Sequence, residues 1–245
     1  MGSGALNIST LGDLRVKIFA DGANADAIRE LAQNPLIKGF TTNPSMMRAA
    51  RISDYPEFAC TLLVAIGNRP VSFEVVSDEQ PEMERQARTI SLWGKNVFVK
   101  IPVTNTRAES TAGLVRKLTG DGIKVNVTAV MTLRQVTEAR DAIGTSVSAY
   151  ISLFAGRIAD TGVDPVPLVR RAVELLAGHP NIELIWASPR ELLNIFQADA
   201  AGCHVITATP ELLLKLPLVG KSLDEFSLET VKMFHRDATA ANLSL

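Results

Sequence analysis

One lysine and two carboxylates carry the most pointed chemistry in the sequence. Lys100 lies inside Val97-Phe98-Val99-Lys100-Ile101-Pro102, a run that is otherwise apolar. An ammonium in such a setting is costly unless it is paired or neutralised. Burial favours the neutral amine, and a neutral lysine amine is a nucleophile toward ketones that can form a Schiff base. A structural ion pair with Glu74 or Asp21, or a lysine guarding an exposed strand, would account for the same residue. Glu74 alternates with Phe73 and Val75 and so points away from them. Asp21 follows Ile18-Phe19-Ala20, where it could serve chemistry or cap a helix beginning near Asn24.

A second group is polar and uncharged. Asn126 and Thr128 are two residues apart in a β-rich run, so both face the same side and can reach one ligand. Asparagine is disfavoured in strand interiors, which argues against a packing role alone. Thr42 and Asn43 precede Pro44, and Ser152 ends another apolar run; Asn43 also suits a turn. Arg157 and Arg190, the latter close to Ser188, supply donors that hold a phosphate well. Either arginine alone would read as a surface residue. His179, His204 and His235 are scattered without a metal-ligand spacing.

These residues share one kind of position. Short β-rich runs recur at Val16–Ala20, Ile37–Thr41, Val71–Val76, Asn96–Ile101, Ile123–Thr128, Val147–Ser152, Glu183–Ala187 and His204–Thr207. Amphipathic segments lie between them, among them Pro81–Trp93, Glu109–Leu118 and Pro167–Leu176. The continuous Val/Ile character suits parallel strands buried on both faces. Eight strand–helix units without a Gly/Ser-rich linker predict an α/β fold, a single (β/α)8 TIM barrel over residues 1–245, with an additional C-terminal helix at about 223–237. A doubly wound open sheet is the alternative, weakened by the absence of Gly-x-Gly-x-x-Gly after the first strand. In a barrel of this kind the residues named above fall at or beyond the C-terminal strand ends, where active sites are built.

Composition narrows the class further. The 245 residues are 47% hydrophobic and 21% charged, enough apolar mass for a large core. With 25 Lys+Arg against 26 Asp+Glu the net charge is −1, so no long-range field attracts nucleic acid or anionic lipid. Only Cys60 and Cys203 occur, which excludes a disulfide framework or thiolate metal cluster. No apolar run approaches the ~20 residues of a membrane span. The N-terminus lacks the basic and apolar regions expected of a secretory signal, and Met1-Gly2-Ser3-Gly4 is followed by Leu6 where a myristoylation motif wants Ser or Thr. The expectation is a cytoplasmic protein.

The motifs together resemble the transaldolase family. Gly39-Phe40-Thr41-Thr42-Asn43-Pro44-Ser45 and Val99-Lys100-Ile101-Pro102-Val103-Thr104 are similar to its two signatures, in the same order and spacing. Phe19-Ala20-Asp21, Ser72-Phe73-Glu74-Val75, Asn126-Val127-Thr128, Ser152-Leu153-Phe154-Ala155-Gly156-Arg157 and Ala187-Ser188-Pro189-Arg190 extend the likeness over about residues 16–235. The length resembles the small branch, which includes microbial transaldolases and fructose-6-phosphate aldolase.

The resemblance implies a class I aldol mechanism on sugar-phosphate substrates, with no metal or organic cofactor. Lys100 would form the Schiff base with the ketose, Asp21 would move the C4 hydroxyl proton, and Glu74 with Thr128 would hold the water that shuttles protons. Thr42, Asn43, Asn126 and Ser152 would meet the dihydroxyacetone unit, and Arg157, Ser188 and Arg190 the phosphate. The aldolase branch resembles a pattern with Gln and Tyr at the positions of Glu74 and Phe154, so this sequence sides with transaldolases. A fructose-6-phosphate aldolase releasing free dihydroxyacetone, and a non-catalytic sugar-phosphate-binding barrel, are the alternatives. Pro189 departs from the family, which commonly has Phe or Ile before its basic residue. The resemblance also implies a ring-shaped homo-oligomer, a pentamer or decamer, and no nucleic-acid or membrane partner.

Overall fold

In a computed structural model, which describes residues 11–242, eight parallel strands close into a barrel in sequence order. The Met1-Gly2-Ser3-Gly4 stretch lies outside the described residues. The strands are β1 (Lys17–Asp21), β2 (Ile37–Thr41), β3 (Val71–Glu74), β4 (Val97–Pro102), β5 (Val125–Val130), β6 (Ala149–Leu153), β7 (Ile182–Trp186) and β8 (Val205–Ala208), and β8 pairs back onto β1. The predicted α/β barrel is the observed fold. Val, Ile and Leu on the outer strand faces pack against the surrounding helices in one continuous core, as the apolar runs require.

The helices are α1 (Ala25–Gln33), α2 (Pro44–Ala49), α3 (Tyr55–Ile66), α4 (Gln80–Ser91), α5 (Ala112–Gly120), α6 (Leu133–Ile143), α7 (Ala155–Ala159), α8 (Val166–Leu176), α9 (Leu193–Ala200), α10 (Pro210–Leu213) and α11 (Leu223–Ala240). Several of them start on a side-chain cap. The Asn24 side chain accepts from the backbone N–H groups of Asp26 and Ala27 at the head of α1, so Asp21 is free of that duty. Asn43 and Asp54 cap α2 and α3, and Thr132 with Gln135 forms a reciprocal capping box on α6.

Several elements differ from the sequence expectation. β3 stops at Glu74 because the N–H groups of Val76 and Ser77 both donate to Gln86 Oε1 rather than to a neighbouring strand. The helix expected from Glu109 begins at Ala112, since residues 104–110 fold back on themselves through a Thr104–Ser110 bridge and Thr111 Oγ1 donates to the Pro102 carbonyl. Two helices, α2 and α3, stand where the sequence pattern marks only a turn at Asn43-Pro44. The C-terminal helix runs to Ala240, three residues beyond its expected end, and leaves Leu223, Phe226, Leu228, Val231 and Phe234 exposed. Among the described residues no helix is long and apolar enough to cross a membrane.

The barrel interior changes character along its axis. Phe19, Phe98, Tyr150, Ile185 and Val205 form a separate buried cluster toward the N-terminal end. Phe19 and Tyr150 meet edge to face at 5.7 Å. Gly39 belongs to this layer by necessity, because a Cβ there would lie 2.5 Å from the Phe19 ring. Two residues further along the same strands stand Asp21, Thr41, Lys100, Ser152 and Thr207. The two-residue period thus puts an apolar plug below and a polar layer above.

Candidate active site

The polar layer opens into a cleft of about 620 Å³ at the C-terminal end of the barrel. Of the residues expected there, Asp21, Asn43, Glu74, Lys100, Thr128, Ser152, Phe154, Arg157, Ser188 and Arg190 line it. Lys100 is buried to 5% exposure, on a strand held on both sides by β3 and β5. Its Nζ donates to the Thr42 carbonyl at 3.0 Å and stands 3.1 Å from Glu74 Oε2. An amine with a carboxylate at this distance is an arrangement that can serve nucleophilic and acid–base chemistry.

Glu74 is held from behind. Phe73 points outward into an aromatic cluster with Tyr55, Phe58 and Trp93, so Glu74 faces inward as its alternation predicts. The Tyr55 hydroxyl donates to the Glu74 carbonyl at 3.0 Å. Burial pushes that phenol well above the ordinary tyrosine value, which keeps it a hydrogen-bond donor.

Asp21 accepts from Thr41 Oγ1 at 2.7 Å, and the Thr41 and Thr207 hydroxyls are 2.6 Å apart. With Asp21 ionised, Thr41 donates to it and Thr207 must donate to Thr41. Burial raises the Asp21 carboxyl above the ordinary aspartate value; Lys100 and the Thr41 hydrogen bond pull it down, and Glu74 adds to the rise. A carboxyl tuned upward next to an amine is suited to giving and taking protons.

Two expected residues are placed differently from the rest. The Thr42 side chain is fully buried and donates to the Ser72 carbonyl at 3.3 Å, so Thr42 meets Lys100 through its backbone. Asn126 is also fully buried. Its Nδ2 donates to Ser72 Oγ at 3.0 Å, and its Oδ1 accepts from Ser152 Oγ at 2.8 Å. The Asn126 amide therefore fixes the floor beneath the cleft. Asn43 Oδ1 caps α2 by accepting from Met46 N at 3.0 Å, which leaves its amide N–H groups for a ligand.

Thr128 Oγ1 is buried without a protein hydrogen-bond partner. Its aim comes from a break in the strand: the β5–β6 register shifts between Val127 and Val130, and Ala129 takes φ 59°. Bulges of this kind re-aim side chains next to functional sites. Ser188, also at the cleft, has φ 62°, a second non-glycine residue in the left-handed region.

At the far wall, Arg157 rises from α7, and Arg190 lies beyond Ser188 and Pro189. The two loops touch through Gly156, whose N–H donates to the Ala187 carbonyl at 3.3 Å. A Cβ on Gly156 would fall 1.6 Å from the Ser188 carbonyl oxygen, so only glycine fits. The sequence reading missed Thr41, Ser72 and Tyr55, whose hydrogen bonds orient Asp21, Asn126 and Glu74. The period of two places Thr41 and Ser72 inside the barrel, but their partners sit on other strands.

Known proteins fit this picture. The sequence profile of the family described as Transaldolase/Fructose-6-phosphate aldolase matches residues 18–245. "Probable transaldolase 2" of Listeria monocytogenes is 34% identical over 215 residues, covering 86% of this chain and 94% of that one. "Probable transaldolase" of a Thermoanaerobacter species is also 34% identical over 215 residues, covering 86% and 95%, and that of Nitrosopumilus maritimus is 32% identical over 216 residues, covering 86% and 93%. Among solved structures, 2,3-dimethylmalate lyase superposes with a TM-score of 0.51 at 13% identity, covering 95% of this chain and 86% of that one. A mutant flavocytochrome b2 with benzoylformate gives 0.55 at 15%, covering 86% and 62%. Likeness at that identity speaks for the fold alone. The match of the whole barrel to one sequence family, at a third of positions in near full-length relatives, is of a different order: this chain belongs to the transaldolase/fructose-6-phosphate aldolase family.

Proposed function

We propose that the protein is a transaldolase that moves a dihydroxyacetone unit from a ketose phosphate, fructose 6-phosphate or sedoheptulose 7-phosphate, to an aldose phosphate through a Schiff base on Lys100. The observation that carries this reading is the buried Lys100 amine at the base of an open cleft, 3.1 Å from the Glu74 carboxylate. A buried lysine that lines a ligand-sized cavity suits imine chemistry better than a structural ion pair.

The neutral Lys100 amine attacks the C2 carbonyl, and the carbonyl oxygen takes up a proton to give a carbinolamine. Glu74, beside both amine and cleft, relays that proton and the one needed to expel the oxygen as water. Thr128 Oγ1, buried without a protein partner, is placed to hold that water. Loss of water leaves a protonated imine. Asp21 then takes the C4 hydroxyl proton, the C3–C4 bond breaks, and its electron pair moves through C2 to the imine nitrogen as an enamine while the aldose leaves. The enamine carbon attacks the carbonyl of the incoming aldose, Asp21 returns its proton to the new alkoxide, and hydrolysis frees Lys100. The imine is itself the electron sink, so each step is balanced by these groups and water. Asn43 and Ser152 meet the hydroxyls of the three-carbon unit above the Asn126 floor, and Arg157, Ser188 and Arg190 hold the phosphate.

Phe154 supports transfer over release. A phenyl ring at the cleft wall has no proton to give the enamine, which then waits for an acceptor aldehyde. The same reading makes the chain one cytoplasmic barrel domain that assembles as a homo-oligomer, with the exposed apolar residues of α11 as contact surface.

The test is intact-protein mass after mixing with fructose 6-phosphate and reducing with borohydride, on wild type and Lys100→Met. The expected result is an adduct of dihydroxyacetone mass on wild type alone. No adduct on either protein would overturn the imine mechanism. Free dihydroxyacetone accumulating without an acceptor would favour the aldolase.

A further inference from the structure

Arg157, from α7, and Arg190, from the loop after β7, both line the cleft. A guanidinium that shares a site with a like charge is steadied by a carboxylate partner. Asp160, one helical turn beyond Arg157, supplies it. Arg190 Nε donates to Asp160 Oδ1 at 2.9 Å, and Nη2 forms a short hydrogen bond to Oδ2. The pair is bidentate, the geometry in which a carboxylate fixes the plane of a guanidinium as well as its position. The Arg190 hydrogen bonds hold the Asp160 carboxyl below the ordinary aspartate value, and the Arg157 charge adds to this.

The contact uses one edge of Arg190 and leaves the other. Its Nη1 donates to Ser188 Oγ at 3.1 Å, and Ser188 lines the cleft. The backbone of the same loop is pinned independently: Ser188 has φ 62°, Pro189 fixes its own φ, and Arg190 N donates to Asn194 Oδ1 at 2.7 Å. What the backbone does not fix is the long Arg190 side chain. Asp160 holds it with two hydrogen bonds, against one from the Ser188 hydroxyl.

We infer that Asp160 is a positioning residue for the phosphate of the substrate: it grips Arg190 by its Nε edge, so that the remaining guanidinium N–H groups and the Ser188 hydroxyl form a ready seat for the anion. Preference for phosphorylated over unphosphorylated sugars then depends on a residue that does not itself line the cleft. This inference rests on the sugar-phosphate reading above.

The experiment compares wild type, Asp160→Asn and Asp160→Glu in two ways. The first is calorimetric binding of glucitol 6-phosphate, which carries the phosphate but no carbonyl for Lys100. The second is steady-state kinetics with sedoheptulose 7-phosphate as donor and either glyceraldehyde 3-phosphate or glyceraldehyde as acceptor. Asp160 is about half exposed, so the variants should fold. The expected result for Asp160→Asn is roughly tenfold weaker glucitol 6-phosphate binding and a similar rise in KM for glyceraldehyde 3-phosphate. The kcat and the KM for glyceraldehyde should stay unchanged, and Asp160→Glu should recover part of the loss. Unchanged or tighter binding in Asp160→Asn, an equal KM change for both acceptors, or no binding of glucitol 6-phosphate to wild type would overturn the inference. If wild type binds glucitol 6-phosphate but forms no adduct on Lys100, the transaldolase reading fails, and the binding arm still decides the role of Asp160.

Discussion

Glu74 and Lys100 are register partners across the β3–β4 pairing, and Glu74 Oε2 and Lys100 Nζ stand 3.1 Å apart at the base of the cleft. Neighbouring parallel strands hold them side by side, so their separation is set by the sheet rather than by flexible loops. If Glu74 relays the protons of imine formation, Glu74→Gln keeps an acceptor for Nζ but loses that relay. The kcat should fall about 10²-fold, in the range typical of a lost general acid–base group. Rapid-quench borohydride trapping should show the fall in the rate of imine formation. An unchanged trapping rate would remove Glu74 from the mechanism.

Asp21 carries a sign that can be checked twice. Its carboxyl is raised above the ordinary 3.8 chiefly by burial. A base must be ionised, so kcat/KM should have an acid limb above that ordinary value, and Asp21→Asn should abolish turnover. For stability, the native state holds the Asp21 proton more tightly than the unfolded chain does. Stability is therefore lost as pH rises from the unfolded value through the native one. Asp21→Asn removes that loss, so its Tm advantage over wild type should grow between pH 4.5 and 8, by about 2–4 °C per kcal/mol released. A constant gap across that range would contradict the assignment.

Phe154 tests the line between transfer and cleavage. Phe154→Tyr puts a hydroxyl on a ring at the cleft wall, where it can protonate the enamine. Fructose 6-phosphate alone should then yield free dihydroxyacetone, assayed with a glycerol dehydrogenase, at a rate at least about tenfold above wild type. Equal release by both proteins would move the specificity elsewhere.

Gly156 is predicted to tolerate no side chain. Gly156→Ala must part the α7 turn from the Ser188 loop, because its Cβ meets the Ser188 carbonyl oxygen at 1.6 Å. A loss of about 1–3 kcal/mol is expected on overpacking grounds, read as a lower urea midpoint. A KM increase confined to phosphorylated substrates should accompany it. A variant as stable as wild type would show that the two loops are not locked together.

Much of this was legible in the chain, and the reason is periodicity. A parallel barrel buries both strand faces, so eight Val/Ile runs announce it, and the polar residue at the end of each run marks the cleft. Lys100, Glu74 and Asp21 stand out because they interrupt apolar runs. The Thr41–Thr207 contact joins strands at opposite ends of the sequence, and the Ser72–Asn126–Ser152 chain crosses from β3 to β6; no local pattern encodes either. Asp160 reads as a helix-end residue until Arg190 is seen against it. The loop at residues 104–110 misled the helix assignment because Glu109-Ser110-Thr111 looks like a helix start, while its N–H groups and side chains close a turn instead.

The aromatic layer beneath Lys100 bears on how such an enzyme can change over generations. Phe19, Phe98 and Tyr150 close the barrel with contacts of their own, and the side chains proposed to touch substrate stand on the opposite side of that plug. Replacing Phe154, Ser188 or Arg190 leaves the plug intact, so natural variation can explore new sugars at the mouth while the load of staying folded rests elsewhere. Substitutions in the plug would have no such freedom: they change the floor on which Lys100 and Asp21 stand, and should be purged even when the cleft itself is perfect.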